Sequence, residues 1–483
     1  LNGAGVAVVS LDGTVLKLVN GSYAGVLSGT GSLEKVGVGA LSLSGVNTFS
    51  GATTVKSGAM TLTGGASLAS TSISVKGGSL TLENGATIPS TTVLGVDGTV
   101  SMASSSVVLQ SLSGGSGGRL NLNGTALTLT SGSYAGVLAG TGSLEKANAG
   151  TLTLNGASTY TGATTVNGGV LALGVSGALS GSTAVTVNGG SELALGVTAQ
   201  SVGSVVLNDG TISGGTLTGV DYLVKKGVVT SALAGTGGLT KSTTDEVLLS
   251  GANTYTGATV VGAGRLVLGV TGALSSSTAV TVSGGSELVL GVTAQSVGSV
   301  VLNDGTISGG TLTGVDYLVK KGVVTSVLGG TGGLTKSTAD EVLLSGANTY
   351  TGATVVGGGR LVLGVDNALS SSTAVTVSAG SELALGVTAQ SVGTVSLAGG
   401  DISGGVLTAT SFALGSGVVR TTLRGGAVNK TGAGLITLDG RIEVGGDVTL
   451  QGGVVRLGSS DRLADTLRLV VDGGTLDLNG FDE

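Results

Sequence analysis

Apolar and small polar residues alternate over four to six positions along most of the chain, and Gly-Gly, Asn-Gly, Asp-Gly and Ser-Gly pairs separate these runs. This alternation predicts short β-strands joined by turns, and no apolar stripe with a 3.6-residue spacing is long enough to predict a helix. Leu152 and Leu154 alternate with threonines, and Leu171 and Leu173 repeat the same phase 19 residues later. We therefore expect these four leucines to face one interior.

The recurrence continues with a slightly different length, since Leu173, Leu195 and Leu217 follow one another at intervals of 22 residues. Coils of about 20 residues, each made of two or three short strands, are typical of a parallel β-solenoid. The sequence thus predicts an all-β fold, a right-handed parallel β-helix of roughly 20 to 25 coils. At about 4.8 Å per coil, a single elongated rod would be roughly 100 to 120 Å long.

A longer period of 95 residues is also present, because Tyr160, Tyr255 and Tyr350 each occupy a YTGAT motif. We predict one continuous solenoid over residues 1–483. It is divided into units near 146–240, 241–335 and 336–429, with diverged copies at 1–145 and 430–483. The other residues that mark this period are Lys146, Lys241 and Lys336, and Gln200, Gln295 and Gln390.

The composition of the chain excludes several kinds of catalytic and metal-binding site. The 483 residues include 95 glycines and one proline but no cysteine, histidine or tryptophan. Serine–histidine triads, thiol nucleophiles and imidazole or thiolate metal sites are therefore excluded, and we expect no metal and no cofactor. A net charge of −6 without a basic, aromatic-rich track also argues against a nucleic-acid partner.

Residues 233–269, LAGTGGLTKSTTDEVLLSGANTYTGATVVGAGRLVLG, combine a G-x-L-x-K opening, an NTYTG turn and a closing L-x-L-G. This stretch resembles the passenger-associated repeat of bacterial autotransporters, the type V secreted proteins of Gram-negative bacteria. Similar stretches run from Leu27 to Gly64, Leu138 to Gly174 and Leu328 to Gly364, with a degraded one from Leu423 to Gly440.

The resemblance implies an extracellular or cell-surface passenger, anchored at the outer membrane or released from it. Autotransporters cross that membrane through a C-terminal translocator barrel, for which this chain shows no amphipathic, aromatic-girdled strands. We therefore expect the chain to be a passenger fragment that meets the membrane only through a barrel outside these residues.

Four aromatic residues at the NTYTG position, Phe49, Tyr160, Tyr255 and Tyr350, are candidate surface or turn residues. Exposed rings could stack on glycans, whereas rings that pack over a turn would have a structural role. Their spacing of 95 or more residues is too wide for one small ligand, which favours packing. Tyr222, Tyr317 and Phe412 invite the same interpretation.

Glycoside hydrolysis requires two carboxyl groups. Adjacent carboxylates occur at Asp245-Glu246 and Asp340-Glu341. Neighbouring residues on a strand point to opposite faces, so a solvated turn is the better interpretation. Arg265 and Arg360 recur with the repeat, as surface charges do. We therefore expect no enzyme, while a solenoid enzyme acting on polysaccharide stays open as an alternative.

A long, repetitive surface of threonine, serine, asparagine and glycine suits binding through many small contacts. We predict an adhesin, or a self-associating stalk that promotes aggregation and biofilm formation. Its partners would be host surfaces, extracellular matrix, glycans or identical passengers on neighbouring cells. The alternative is a structural fibre or spacer that presents a distal domain and binds nothing itself.

Overall fold

A computed structural model describes residues 2–3, 7–291 and 293–483. These residues form strands, turns and bends without a helix, and the strands are parallel and stacked in about 23 turns. The predicted parallel β-solenoid is confirmed. Its right-handedness and its division into 95-residue units stay predictions.

The alternation of leucine and threonine builds the interior. Thr151–Leu154 pairs in parallel with Gly169–Leu173, and the register places Leu152 beside Leu171 and Leu154 beside Leu173. All four leucines are at most 3% exposed. Because successive side chains of a strand point to opposite faces, the intervening threonines face outward.

Leu173, Leu195 and Leu217 all face the interior, as the recurrence predicts, but Leu217 does not stack on Leu195. Leu217 pairs with Gln200, which lies on a different side of the coil. Here each coil has three short strands, as in Ser204–Leu207, Gly210–Ser213 and Thr216–Thr218. A constant spacing of 22 residues does not identify stacked positions, because the lengths of the turns between strands vary.

The chain divides into two compact units, Leu1–Gly237 and Gly238–Glu483. Glycines form many corners of both units. At Gly227, for example, φ is +120°, and a Cβ atom would lie only 2.2 Å from the carbonyl oxygen of Gly210 in the coil beneath. A larger residue would push these coils apart, which is why the corner requires glycine.

The strands of the first unit are Asn2–Gly3, Val8–Ser10, Val15–Leu18, Gly21–Tyr23, Val26–Ser28, Ser32–Lys35, Ala40–Leu43, Val46–Asn47, Thr53–Val55, Ala59–Leu62, Ser67–Leu68, Ser72–Val75, Ser79–Leu82, Val93–Val96, Thr99–Met102, Ser106–Gly114, Arg119–Asn121, Ala126–Tyr134, Val137–Ala139, Ser143–Lys146, Thr151–Leu154, Thr164–Val166, Gly169–Leu173, Val185–Val187, Ser191–Ala194, Ala199–Ser201, Ser204–Leu207, Gly210–Ser213, Thr216–Thr218, Asp221–Val224, Gly227–Val229 and Ala232–Ala234.

The strands of the second unit are Leu239–Lys241, Glu246–Leu249, Thr259–Val261, Arg265–Leu268, Val280–Val289, Ala294–Ser296, Ser299–Ser308, Thr311–Thr313, Asp316–Val324, Val327–Gly329, Leu334–Lys336, Glu341–Leu344, Thr354–Val356, Gly359–Leu363, Val375–Ser378, Ser381–Ala384, Ala389–Lys430, Leu435–Leu438, Ile442–Val444, Val448–Leu450, Val454–Leu457, Leu469–Val471 and Thr475–Asp477. The long segment Ala389–Lys430 is extended backbone that continues through several corners of the coil.

Within the described ranges, no helix has the length and apolar character needed to cross a membrane.

Candidate functional site

The four candidate aromatic residues all lie in the interior. Phe49, Tyr160, Tyr255 and Tyr350 are each 0% exposed. A ring without an exposed face cannot stack on a sugar from solution. The structure therefore corrects the surface interpretation of these residues and leaves packing at a turn as their role.

The tyrosine hydroxyls end a buried chain of hydrogen bonds. The hydroxyl of Tyr350 is 2.7 Å from Oγ1 of Thr354, which is 3.2 Å from Oγ1 of Thr373 in the next coil. Thr373 in turn donates to the carbonyl oxygen of Gly352 at 2.6 Å. Burial raises the pKa of the Tyr350 hydroxyl, so it remains protonated and can take part in this network.

Phe49 occupies the same position without a hydroxyl. Oγ1 of Thr53 there lies 2.8 Å from Oγ of Ser70, which donates to the carbonyl oxygen of Gly51 at 2.6 Å. The hydroxyl chain is thus one group shorter, and the ring alone fills the interior.

The second set of aromatic residues is also buried, since Tyr222 and Tyr317 are 2% exposed and Phe412 is 0% exposed. The hydroxyl of Tyr317 accepts from the N–H of Gly314 at 2.6 Å and lies 2.7 Å from the carbonyl oxygen of Leu312. These hydrogen bonds hold the backbone at a corner of the coil, so Tyr317 has a structural role.

The lysine of the G-x-L-x-K motif has a role that the sequence analysis missed. Lys146 is 0% exposed, and its Nζ atom donates to the carbonyl oxygens of Ala147, Asn148 and Gly168 at 2.9, 2.7 and 2.8 Å. Burial lowers the pKa of this ammonium group. Buried lysines with the same kind of turn contact are Lys35, Lys241, Lys336 and Lys430.

A glutamine clamp was missed as well. Gln295 is 1% exposed, its Oε1 atom accepts from the N–H of Leu274 at 3.3 Å, and its Nε2 atom donates to the carbonyl oxygen of Val270 at 2.5 Å. Gln200 and Gln390 make the equivalent contacts. The signal that could have revealed both features is the exact 95-residue recurrence of a long polar side chain among small ones.

The adjacent carboxylates Asp245-Glu246 and Asp340-Glu341 are exposed, and each glutamate begins a strand. Glu246 pairs with Arg265 at 2.7 Å, and Arg265 also contacts Glu287 at 2.9 Å, while Asp245 is exposed beside them. Glu341, Arg360 and Glu382 repeat this arrangement at 2.9 and 3.2 Å. Each glutamate thus faces a guanidinium, and the described residues contain no group of three or more acidic side chains placed to hold a metal ion.

One candidate for ligand binding is a shallow depression of about 410 Å³ in the second unit. Asn253 lies at its buried side, and Thr254, Thr271, Ser275 and Ser276 supply hydroxyl groups. Uncharged donors and acceptors of this kind suit a neutral, hydroxyl-rich ligand. The remaining lining residues are Gly272, Leu274, Ala294 and Ser296.

Comparison with known proteins supports the repeat assignment. The passenger-associated-transport-repeat family matches residues 33–63, 144–173, 239–268 and 334–363. Each match falls inside one of the four well-formed stretches that the sequence analysis compared with this repeat. The matched ranges contain seven of the buried residues described above, namely Lys35, Lys146, Lys241, Lys336, Tyr160, Tyr255 and Tyr350.

A relative is the adhesin BmaC autotransporter of Brucella suis biovar 1 (strain 1330), which is 32% identical over 237 residues. The alignment covers 44% of this chain but only 7% of that relative. No solved structure matches the chain. Four stretches of the chain thus match the passenger-associated transport repeat, and part of the chain is similar to an autotransporter adhesin.

Proposed function

We propose that this passenger acts at the cell surface or outside the cell, where it binds through many weak polar contacts. The observation that carries the proposal is the similarity to a protein named as an adhesin, on a chain with four passenger repeats. The partners we propose are host surfaces, extracellular matrix, glycans and identical passengers. Aggregation and biofilm formation would follow from the last of these.

The depression around Asn253 is the contact point that we propose for a glycan. Its hydroxyl groups offer both donors and acceptors, and its lining includes no charged side chain. A single site of this kind binds weakly, because a sugar exchanges hydrogen bonds with water for similar ones with protein. Several copies acting together would supply the affinity.

We propose binding rather than catalysis. The recurring carboxylates Glu246 and Glu341 are both held by arginine, and this favours a structural ion pair over a general acid. A polysaccharide-cleaving enzyme would instead need two carboxylates facing one sugar from suitable distances.

The binding proposal is tested by displaying residues 1–483 on non-aggregating bacteria and scoring attachment to immobilised matrix and glycans against cells without the passenger. Ser276→Arg would fill the depression, and Ser371→Arg makes the same change at the aligned position 95 residues later. Attachment should fall with these changes and persist with Val267→Arg and Val362→Arg, which add the same charges elsewhere.

The spacer remains the competing function. If all displayed variants, including the unchanged chain, attach and settle no more than empty cells, binding by this chain is refuted. Deleting one 95-residue unit then distinguishes a spacer, because a distal domain would lose reach in proportion to the lost length.

A further inference from the structure

An uncharged row of side chains runs across nine stacked strands of the second unit. Each member is an outward-facing residue of its strand, and each lies beside the next in register. We call this row the neutral stripe; it consists of Thr240, Val260, Thr281, Val301, Leu318, Thr335, Val355, Thr376 and Ser396. Every member is partly or fully exposed.

Charged residues of the same coils lie on a different side. Glu246, Arg265 and Glu287 are stacked on the neighbouring strands Glu246–Leu249, Arg265–Leu268 and Val280–Val289, and they satisfy one another as ion pairs. These charges therefore pair with one another away from the neutral stripe, whose nine members are uncharged and of which seven are β-branched.

Two unpaired charges flank the middle of the stripe. Asp316 and Lys320 lie two residues before and after Leu318, the fifth of the nine members. Among the residues described for this unit, neither makes a salt bridge, whereas the adjacent Lys321 lies 2.9 Å from Asp304. The stripe thus has a negative group at one edge and a positive group at the other.

We propose that the neutral stripe binds the same stripe of a second copy of this chain, and this proposal specifies one partner of the proposed adhesin function. Two flat sheets can face each other in either direction. When both copies stack their coils in the same direction, the twofold axis follows that direction and Asp316 faces the partner's Lys320. When the directions oppose, Asp316 faces its own counterpart. Charge complementarity therefore selects the parallel arrangement.

The size of the stripe indicates a weak pair. Nine strands about 4.8 Å apart span about 40 Å, and three residues of a strand span about 10 Å. The pair would bury about 800 Å² in total, below the roughly 1,200 Å² of a stable standard interface. Parallel pairing would join neighbouring copies that project in the same direction and would raise the local density of binding sites.

The first test adds charge to the stripe of the 483-residue chain. Val260→Lys with Val355→Lys should weaken self-association by at least about tenfold, because lysines would then meet lysines in the pair. The matched control is Val267→Lys with Val362→Lys, which changes valines of the same exposure class on the ion-paired side of the same coils. Sedimentation equilibrium measures the association, and far-UV circular dichroism checks the fold.

A second test reads the direction of pairing. Asp316→Lys alone and Lys320→Asp alone should each weaken association, whereas a mixture of the two variants should restore it, since each variant then meets its complement. Because this mixture is complementary in an opposed arrangement as well, the direction is read from one chain that carries both Asp316→Lys and Lys320→Asp. In the parallel arrangement this chain associates with itself and not with the unchanged chain, whereas in an opposed arrangement it would pair best with the unchanged chain.

Cross-linking provides a third readout because the chain has no cysteine. Facing sheets lie about 10 Å apart, which is too far for a disulfide but suits a short bis-maleimide. Thr281→Cys alone should cross-link in the parallel arrangement. Cross-linking only when Thr281→Cys is mixed with Val355→Cys would overturn it.

The proposal is overturned if the unchanged chain does not self-associate, or if the stripe and control variants associate equally. Loss of attachment to matrix in the stripe variants without any change in self-association would assign the stripe to a host ligand instead and would also overturn it. Failure of every displayed variant to attach, with intact self-association in solution, would reject host binding but retain the stripe.

Discussion

The Nζ atom of Lys146 lies 2.8 Å from the carbonyl oxygen of Gly168, so a side chain of one coil ties down the backbone of the next. The lysine has no exposed surface, and its three acceptors are all backbone carbonyls of turns. The repeat therefore uses an ammonium group as a fixed bridge between coils, and the same bridge recurs at other lysines of the G-x-L-x-K motif.

Lys146→Met should destabilise the chain because it keeps much of the side-chain volume but leaves three buried carbonyl oxygens without their donor. We expect a loss of about 2 kcal/mol in the free energy of unfolding. Urea unfolding of the 483-residue chain measures it. Lys76→Met is the control, since that side chain is 61% exposed and its ion pair with Asp97 contributes little. Equal effects of the two changes would contradict the bridging role of Lys146.

Gly58→Ala should be more damaging than Gly65→Ala. Both glycines have positive φ angles, +70° and +81°, so alanine is strained at either position. At Gly58, however, the new Cβ atom would lie 2.5 Å from the backbone carbonyl oxygen of Gly39, whereas nothing lies within 4 Å at Gly65. We expect about 1 kcal/mol of destabilisation at Gly65 and at least about 2 kcal/mol at Gly58. Thermal unfolding of the two variants provides the comparison, and similar melting temperatures would argue against the close contact.

Tyr350→Phe should be tolerated with a modest cost. It removes a hydroxyl that is 2.7 Å from Thr354, but Thr354 keeps Thr373 as a partner. Phe49 already occupies this position in another repeat. We expect a destabilisation of about 1 kcal/mol, while Tyr350→Ala should cost about 3 to 5 kcal/mol because it also leaves a cavity. Chemical denaturation distinguishes the two, and comparable losses would mean that the ring does little packing.

Alkaline pH should destabilise the chain through its buried tyrosines. Burial raises the pKa of Tyr160 and Tyr350, so above about pH 10 the unfolded chain loses phenolic protons that the folded chain retains. The stabilisation is complete below that pH and is lost as the pH rises further. The buried lysines change the free energy of unfolding in the opposite direction. Burial lowers the pKa of Lys146 and Lys336, so raising the pH toward the ordinary lysine pKa stabilises the folded chain through them.

Comparing the unchanged chain with Tyr160→Phe, Tyr350→Phe isolates the tyrosines because both chains contain the same lysines. Urea midpoints measured from pH 8 to pH 11 should fall less steeply above about pH 10 in the double variant. Parallel profiles would show that these hydroxyls do not control the alkaline transition.

Local patterns in the sequence were sufficient to predict the strands. The alternation around Leu152 and Leu171 predicts both the strands and their shared interior, because a strand exposes every second residue to the same face. The 95-residue period and the stretch at residues 233–269 likewise located the repeats that the family comparison matches.

The sequence did not predict which residues stack on one another from coil to coil. Leu217 pairs with Gln200 rather than Leu195, since turn length decides which side of a coil each strand occupies. The four candidate aromatic residues could not be placed inside or outside from their spacing alone, and burial assigns them to the interior.

The sequence by itself determined an all-β chain of short alternating strands, its repeats and the absence of histidine and cysteine chemistry, because these depend only on local periodicity and composition. Only the tertiary structure decided that Lys146 and Gln295 are interior clamps and that Thr240 to Ser396 mark one uncharged surface. The physical reason is that a solenoid brings together residues one coil apart, and the register of each coil sets which groups share hydrogen bonds, solvent or a partner.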